Sequence, residues 1–267
     1  SVASTAMIAL SPGGARIATT WTPAQVQSIT DPTSKRLFDQ LGGSQWASPS
    51  GTISAVAPST TDSIGGSSRV DWNISGKQTI FARWALFDNV ANSSSLTFLN
   101  SNIPSSGASS VNRNQTATVS YTNTLTSSTV WNALASFGRS RPSFPPLATF
   151  GGPNLRFNDG TASLGMATNL PQGRVQNTYQ LLNTVTHAKG RHLFKAGHEV
   201  NRLHMNSFFD SLMRGRFTYP SFAAFAAGQP SQYEQNFGNS VRGYRVWTNY
   251  MFFQDDWRVS RTLTLNL

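Results

Sequence analysis

The sequence predicts an all-β fold: a partial antiparallel transmembrane β-barrel built of consecutive hairpins, with long polar loops and one or two short loop helices. Three observations predict it. Apolar residues alternate with polar ones at period two over segments of about ten residues. Tight turns alternate along the chain with long connections rich in Ser, Asn, Gly and Pro. Charged residues make up only 12% of the 267 residues, about half the usual share of roughly a quarter, and Ser, Thr, Asn, Gln and Gly stand in for them as they do in strands with one wet face.

Taken in order, residues 1–66 read as a long surface loop region on the extracellular side. Asp31 is an N-cap candidate followed by proline at the first helical position, and Leu37 and Leu41 are four apart, so a short helix is expected near 31–41. From 67 to 267 the chain reads as a barrel segment of about eight strands. In the first hairpin, near 69–88, Val70, Trp72 and Ile74 oppose Arg69, Asp71 and Asn73; beyond Ser75-Gly-Lys-Gln78, residues Ile80, Ala82, Trp84 and Leu86 share one side and Arg83 takes the other.

The second hairpin, near 115–139, sets Ala117, Val119 and Tyr121 against Thr116, Thr118, Ser120 and Thr122, then Trp131, Ala133, Ala135 and Phe137 on one face. The third, near 176–202, turns at Ala188-Lys-Gly-Arg191 and returns with Phe194, Ala196, His198 and Val200 opposing Lys195, Gly197, Glu199 and Asn201. The fourth, near 243–267, ends its first strand at Asp255-Asp256 and turns at Arg258-Val-Ser-Arg261. Both faces of Tyr244 to Phe253 are apolar, so periodicity leaves the parity of that strand open. Ser221 to Ala227 is a second short-helix candidate.

The connections Asn89 to Asn114, Ser140 to Arg174 and Leu203 to Arg242 are longer than compact soluble domains tolerate repeatedly without structure. Short connectors on one rim and long ones on the other suit a membrane barrel. A ten-residue strand rises about 33 Å and, tilted near 45°, crosses about 23 Å of bilayer. Its apolar face then meets lipid. Its other face, with Arg83, Lys195, Glu199 and the threonines, meets an aqueous or plugged lumen, since an Arg at mid-bilayer on the lipid side costs roughly 2–4 kcal/mol.

Composition also excludes. Longest apolar runs such as Phe222 to Ala227 are far too short for a transmembrane helix. Cysteine is absent, which removes disulfides and thiolate metal sites. Twenty-one Lys and Arg against 11 Asp and Glu give a formal charge of +10, but these cations are scattered singly with no recognition motif, which argues against nucleic acid. The N-terminal segment lacks a signal peptide's basic start, and the chain is expected to be a piece of a longer precursor.

No catalytic constellation emerges, and no enzyme activity is expected. There is no Gly-x-Ser-x-Gly elbow, and "SPGG" at 11–14 and "FGGPN" at 150–154 read as turns because no Lys-Ser/Thr follows them. Asp255 and Asp256 are adjacent and point to opposite faces of a strand, which suits a hydrated rim rather than a paired-carboxylate site. His187, His192, His198 and His204 crowd one hairpin, and His198 and His204 share a face if the strand is regular. Girdle or turn roles account for them better than zinc, which needs three or four converging ligands. No metal or cofactor is expected. Trp72, Trp84, Trp131, Tyr121 and Trp257 are the candidate lipid-interface girdle, and Trp247, Tyr244 and Tyr250 suit the same belts. Arg113, Arg139, Arg141, Arg174, Arg214 and Arg216 are candidate extracellular-loop cations for lipopolysaccharide phosphates or an anionic ligand.

Several strings carry a family resemblance. "RVDWNISGKQTIFARW" (Arg69 to Trp84), "TVTHAKGRHLFKAGHEVNR" (Thr184 to Arg202) and "NYMFFQDDWRVSRTLTLNL" (Asn249 to Leu267) resemble barrel hairpins of TonB-dependent outer-membrane receptors of the Oar-like branch, and "FAAFAAGQPS" (Phe222 to Ser231) is similar to a small loop helix of those proteins. The resemblance runs from about Val70 to Leu267. It implies a barrel of about 22 strands with a plug, in the outer membrane of a Gram-negative bacterium. It also implies partners: outer-membrane lipid and lipopolysaccharide, the remainder of the barrel and its plug, and the energy-coupling TonB complex. The implied role is membrane wall and substrate-capture loops of a receptor or transporter. The alternative is a soluble or surface-anchored all-β adhesin or carbohydrate-binding module, whose apolar residues would be shared between two packed sheets.

Overall fold

A computed structural model describes residues 2–11, 15–56, 59–93, 103, 107–146 and 151–267. Its frame is one antiparallel sheet of nine strands: β1 (Val2–Ser11), β4 (Ser59–Ser75), β5 (Gln78–Ser93), β6 (Ala108–Thr126), β7 (Thr129–Phe144), β9 (Gln172–Lys189), β10 (His192–Phe209), β13 (Arg242–Arg258) and β14 (Thr264–Asn266), in that spatial order. The sheet does not close on itself, so this is part of a barrel wall with β1 and β14 at its edges.

The four hairpins fold as their alternation requires. Three have two-residue turns, at Gly76-Lys77, Ser127-Ser128 and Gly190-Arg191, and Gly190 takes a left-handed φ of 62° that favours glycine. The fourth, β13 to β14, pairs over only Asp256 to Arg258.

The first 66 residues depart from the expected loop. Residues 2–11 form β1, paired in register with β4 from Val2↔Ser68 to Ser11↔Ser59, and the boundary at 66 falls inside β4. With β1 the sheet has nine strands, eight of which lie in or run into residues 67–267. Polarity is the reason: Ser59 to Ser68 is Ser, Thr and Gly rich, and a ladder of backbone hydrogen bonds forms there without any alternation to reveal it.

The same effect lengthens every long strand. They run 16 to 19 residues instead of about ten, which at about 3.3 Å per residue and a tilt near 45° gives roughly 40 Å, well beyond an apolar band of about 25 Å. The excess lies at the end away from the tight turns. Once a strand leaves lipid its side chains need not alternate, so Ala108 to Asn114 and Leu203 to Phe209, expected as loop, are strand.

The long connections are not structureless. Between β1 and β4 lie β2 (Ala15–Thr19), α1 (Pro23–Gln27), α2 (Pro32–Gln40), a 3-10 turn (Gly43–Trp46) and β3 (Thr52–Val56), with β2 and β3 paired. The later connections contribute β8 (Asn154–Phe157), β11 (Arg216–Tyr219), α3 (Phe222–Ala226) and β12 (Gln232–Glu234), a three-stranded sheet with one helix. Asp31 caps α2 by accepting from the Ser34 amide at 2.7 Å, and Ser221 caps α3 through the Ala224 amide at 3.2 Å. Thr22 and Gln25 form a reciprocal capping box on α1, a helix the periodicity did not announce. The turn expected at 11–14 lies, after Ser11, outside the described residues.

These connections fold together as a cap with its own core: Trp21, Phe38, Leu41, Ile103, Leu155, Leu164, Phe222 and Phe225 are almost wholly buried. Among the described residues, every buried hydrophobic side chain lies in the cap segments and none in the nine-stranded sheet. Two packed sheets sharing an apolar interior, the adhesin arrangement, are not what the long strands make. A smaller cluster of Met166, Ala167 and Leu170 packs against Ala108 and Phe144 and seats the cap on the ends of β6 and β7.

Candidate functional site

Directly opposed residues in antiparallel strands share a face, so register decides what each side of the wall presents. One face carries Val70, Ala82, Val119, Ala135, Leu181 and Val200 in one row, and Trp72, Ile80, Tyr121, Ala133, Asn183, His198 and Met251 in the next. Most of these side chains lie open and the rest are only half-buried: Trp72 is 63% and Met251 78% exposed. A contiguous apolar surface of this extent on a one-layer sheet is stable only against lipid or another apolar surface. This is the outward face.

The inward face carries Arg69, Arg83, Thr118, Ser136, Gln180, Asn201 and Thr248 in a single row. Its side chains satisfy one another across strands. Thr118 and Ser136 hydroxyls are 3.2 Å apart, Thr122 donates to Asn132 at 2.7 Å, and Glu199 accepts from Gln180 at 2.9 Å and Asn201 at 2.5 Å. Arg69 grips Asp71 through Nε and Nη2 at 2.7–3.0 Å and lies 4.1 Å over the Phe81 ring. The next row brings Phe81, Leu134, Leu182 and Tyr250 inward, so the surface is mixed rather than purely polar. Register also settles the last long strand: Tyr244, Val246, Tyr250 and Phe252 face inward, and Trp247, Met251 and Phe253 outward. Gly197 makes room there, since a Cβ at that position would lie 2.2 Å from the Phe252 ring.

Over the loop end of this wall sits the cap. Trp21 stacks on Phe222 at 5.5 Å, meets Phe38 edge-on at 5.1 Å, and donates its indole N–H to the Gly43 carbonyl at 2.9 Å. Backbone bonds tie three connections into one body: the Thr30 and Asp31 amides donate to the Ala226 carbonyl, Ala162 to Thr19, and Asn158 to Tyr219. Asp159 is the polar pin. Burial works to raise its carboxyl, but the Thr161 and Phe222 amides, each 3.0 Å away, overcome this and hold it below the ordinary carboxylate range. Burial pushes the Tyr219 phenol up.

The structure places the expected girdle residues Trp72, Trp84, Trp131, Tyr121 and Trp257 all on the outward face. Tyr121 and Trp131 meet edge-on at 5.5 Å. Near the tight turns, Trp257 stacks on His192 at 5.4 Å, and the His192 ring nitrogen Nδ1 is 2.7 Å from Asp255. Asp256 sits on the other face, where it accepts from Gln254. Tyr244 and Tyr250, assigned to the belts with Trp247, face inward instead.

The six arginines expected on extracellular loops separate into three groups. Arg113, Arg139 and Arg141 lie within β6 and β7 on the outward face, because those strands run past the point where alternation stops. Arg174 lies in β9 opposite Ser207, which turns inward. Arg214 and Arg216 are bound into the cap: Arg214 donates to the Leu170 carbonyl at 3.2 Å, and Arg216 pairs with Glu234 across β11 and β12. His198 and His204 share the outward face, and His187 meets Thr129 at 2.9 Å. Among the described residues no group of three or more His, Cys, Asp or Glu converges on a metal position.

Sequence reasoning missed Arg202 and Arg245. Arg202 lies over Trp247 at 4.7 Å, and with Tyr179, Leu181, Val200 and His204 the pair lines an outward groove of about 360 Å³. Arg202 was legible as the end of an alternating string, but its neighbours come from strands far away in sequence.

A family model described as "Outer membrane beta barrel domain" matches residues 3–267. Among solved structures, the outer membrane transporter YddB from Escherichia coli is similar in fold, with a TM-score of 0.50 at 11% identity. The similarity covers 99% of this chain and 30% of that one, so the chain spans about a third of the transporter's length. No curated protein matches the sequence.

Proposed function

This chain belongs to the outer membrane beta barrel domain family, its place is the outer membrane, and from that premise we propose that it is part of the barrel of a TonB-dependent, Oar-like receptor that imports a ligand. In this reading the nine strands are membrane wall, and the cap is the extracellular surface that captures substrate. The observation that carries it is the cap itself: three connections on one rim, with Ile103 of a fourth, form a packed body over a mixed inner face, while the hairpins on the opposite rim have tight turns. Rim asymmetry is common to outer-membrane barrels; it is the packing of the connections into a body with its own core that supports capture.

The remaining strands and the plug would complete the lumen, and an inner-membrane complex would supply the energy. The proposal assigns the chain a role in binding and import and no catalytic step. Metabolite depletion from the medium tests it, comparing cells that carry the full-length protein, cells without it, and cells that carry it but lack the energising complex. A compound taken up only by the first population supports the reading. Equal depletion with and without the complex would rule out energised import.

A further inference from the structure

We propose that the outward arginines Arg202, Arg245 and Arg139 form a binding site for the phosphorylated headgroup of an outer-leaflet lipid, whose acyl chains run down the apolar face below them. The proposal rests on the reading above for its orientation, in which the long connections are extracellular. It names a partner for the wall rather than for the lumen.

Two adjacent rows of the outward face carry the argument. The last apolar row before the loop end is aromatic: Trp84, Ala117, Phe137, Tyr179, Arg202 and Trp247 stand in register. The row above it, beyond Leu86 on β5, changes character to Gln115, Arg139, Asn177, His204 and Arg245. One step further, Arg113 and Arg141 are opposed, with Asp88 beside Arg113 at 3.6 Å. The boundary between hydrocarbon and water falls where the side chains change, and cations gather on its wet side.

The three guanidiniums are held by neutral partners. Arg245 donates to Asn206 at 3.0 Å, Arg139 to Asn177 at 3.2 Å, and Arg202 rests on the Trp247 ring. Among the described residues none of the three is in an ion pair. They are oriented without being neutralised, which leaves their charge for a ligand. Arginine's planar fork suits a phosphate bidentately, and such charge-assisted bonds are among the stronger polar contacts.

Why a lipid and not a soluble anion follows from the groove. Its walls are Tyr179 and Trp247, and Leu181 and Val200 line it toward the apolar band. A free phosphate would gain nothing from that surface, whereas an amphiphile fills it with chain while its headgroup meets Arg202 and Arg245.

The test uses the full-length protein in phosphatidylcholine bilayers, titrated with fluorescent diphosphoryl lipid A and with its dephosphorylated form. The folded barrel is verified for each variant by heat-modifiable gel mobility. Replacing Arg202→Gln together with Arg245→Gln is expected to weaken binding of the phosphorylated probe at least tenfold, with the dephosphorylated probe already weak on the wild type. Arg202→Lys with Arg245→Lys keeps the charge and is expected to retain most of the affinity, and Lys35→Gln in the cap to change nothing. Unchanged affinity in the double Gln variant overturns the site. Displacement of the probe by millimolar inorganic phosphate overturns the lipid assignment in favour of a free anion. Uptake is scored separately, so a barrel that binds lipid but imports nothing refutes the receptor reading alone.

Discussion

Removing the Phe38 ring should open the cap while leaving the wall intact. Phe38 is fully buried in α2, with Trp21 at 5.1 Å, Phe222 at 6.0 Å and Phe225 at 6.1 Å around it. Its ring also lies on Gly43 so closely that a Cβ there would come within 2.5 Å. Phe38→Ala forfeits about 2 kcal/mol of transfer free energy and leaves a cavity of roughly 100 Å³, worth about 2 kcal/mol more at about 24 cal/mol per Å³ if the site does not collapse. The sum, about 4 kcal/mol, raises the equilibrium constant for cap opening about a thousandfold. Because Phe38 belongs to a core that excludes the long strands, that loss should be local. The assay is limited proteolysis of the full-length protein in bilayers, with cleavage within residues 28–50 as readout and heat-modifiable mobility reporting on the barrel. Phe237→Ala, at a side chain 84% exposed, serves as the neutral control, expected within about 0.5 kcal/mol. Protection that falls less than tenfold, or a barrel that unfolds with the cap, would refute the claim that the cap is a separate cooperative unit.

Other expectations follow from single contacts. Asp31→Ala deletes the N-cap of α2 and should cost about 1 kcal/mol of cap stability in the same proteolysis assay. Acidification should loosen the cap through Asp159. Its folded-state pKa is depressed, so its contribution is fully present above the unfolded value near 4 and is lost as pH falls through the folded one. Asp159→Asn should flatten that acid limb of the protection profile, and an unchanged limb would assign it to another group. Single nitroxides at Lys195, Ala196, His198 and Glu199 should separate by face, with oxygen favoured at Ala196 and His198 and a water-soluble quencher at Lys195 and Glu199, as the register of β10 requires. Equal quencher access at all four would place β10 outside the membrane.

What the sequence determined by itself was the set of features that depend on neighbours in the chain. Period-two alternation is a consequence of strand geometry, so the faces of Trp72, Trp84, Tyr121 and Trp131 could be assigned from their own segments. Caps are equally local, which is why Asp31 before Pro32 marked a helix. Tertiary structure decided what depends on partners. The cap core joins Trp21 and Phe38 from one connection with Leu155 and Phe222 from two others. Each connection is built of elements too short and too irregular to show a period, so its apolar residues read as strays in polar loops. The overhanging strands were hidden because backbone pairing outside lipid demands no pattern of side chains. Parity in Tyr244 to Phe253 was undecidable with both faces apolar, and only pairing with β10 resolved it. Arg139, Arg202 and Arg245 become one cluster only when β7, β9, β10 and β13, separated in the chain by one tight turn and two long connections, are laid in register. Side-chain periodicity carries the identity of a face, and hydrogen-bond register carries the composition of a site.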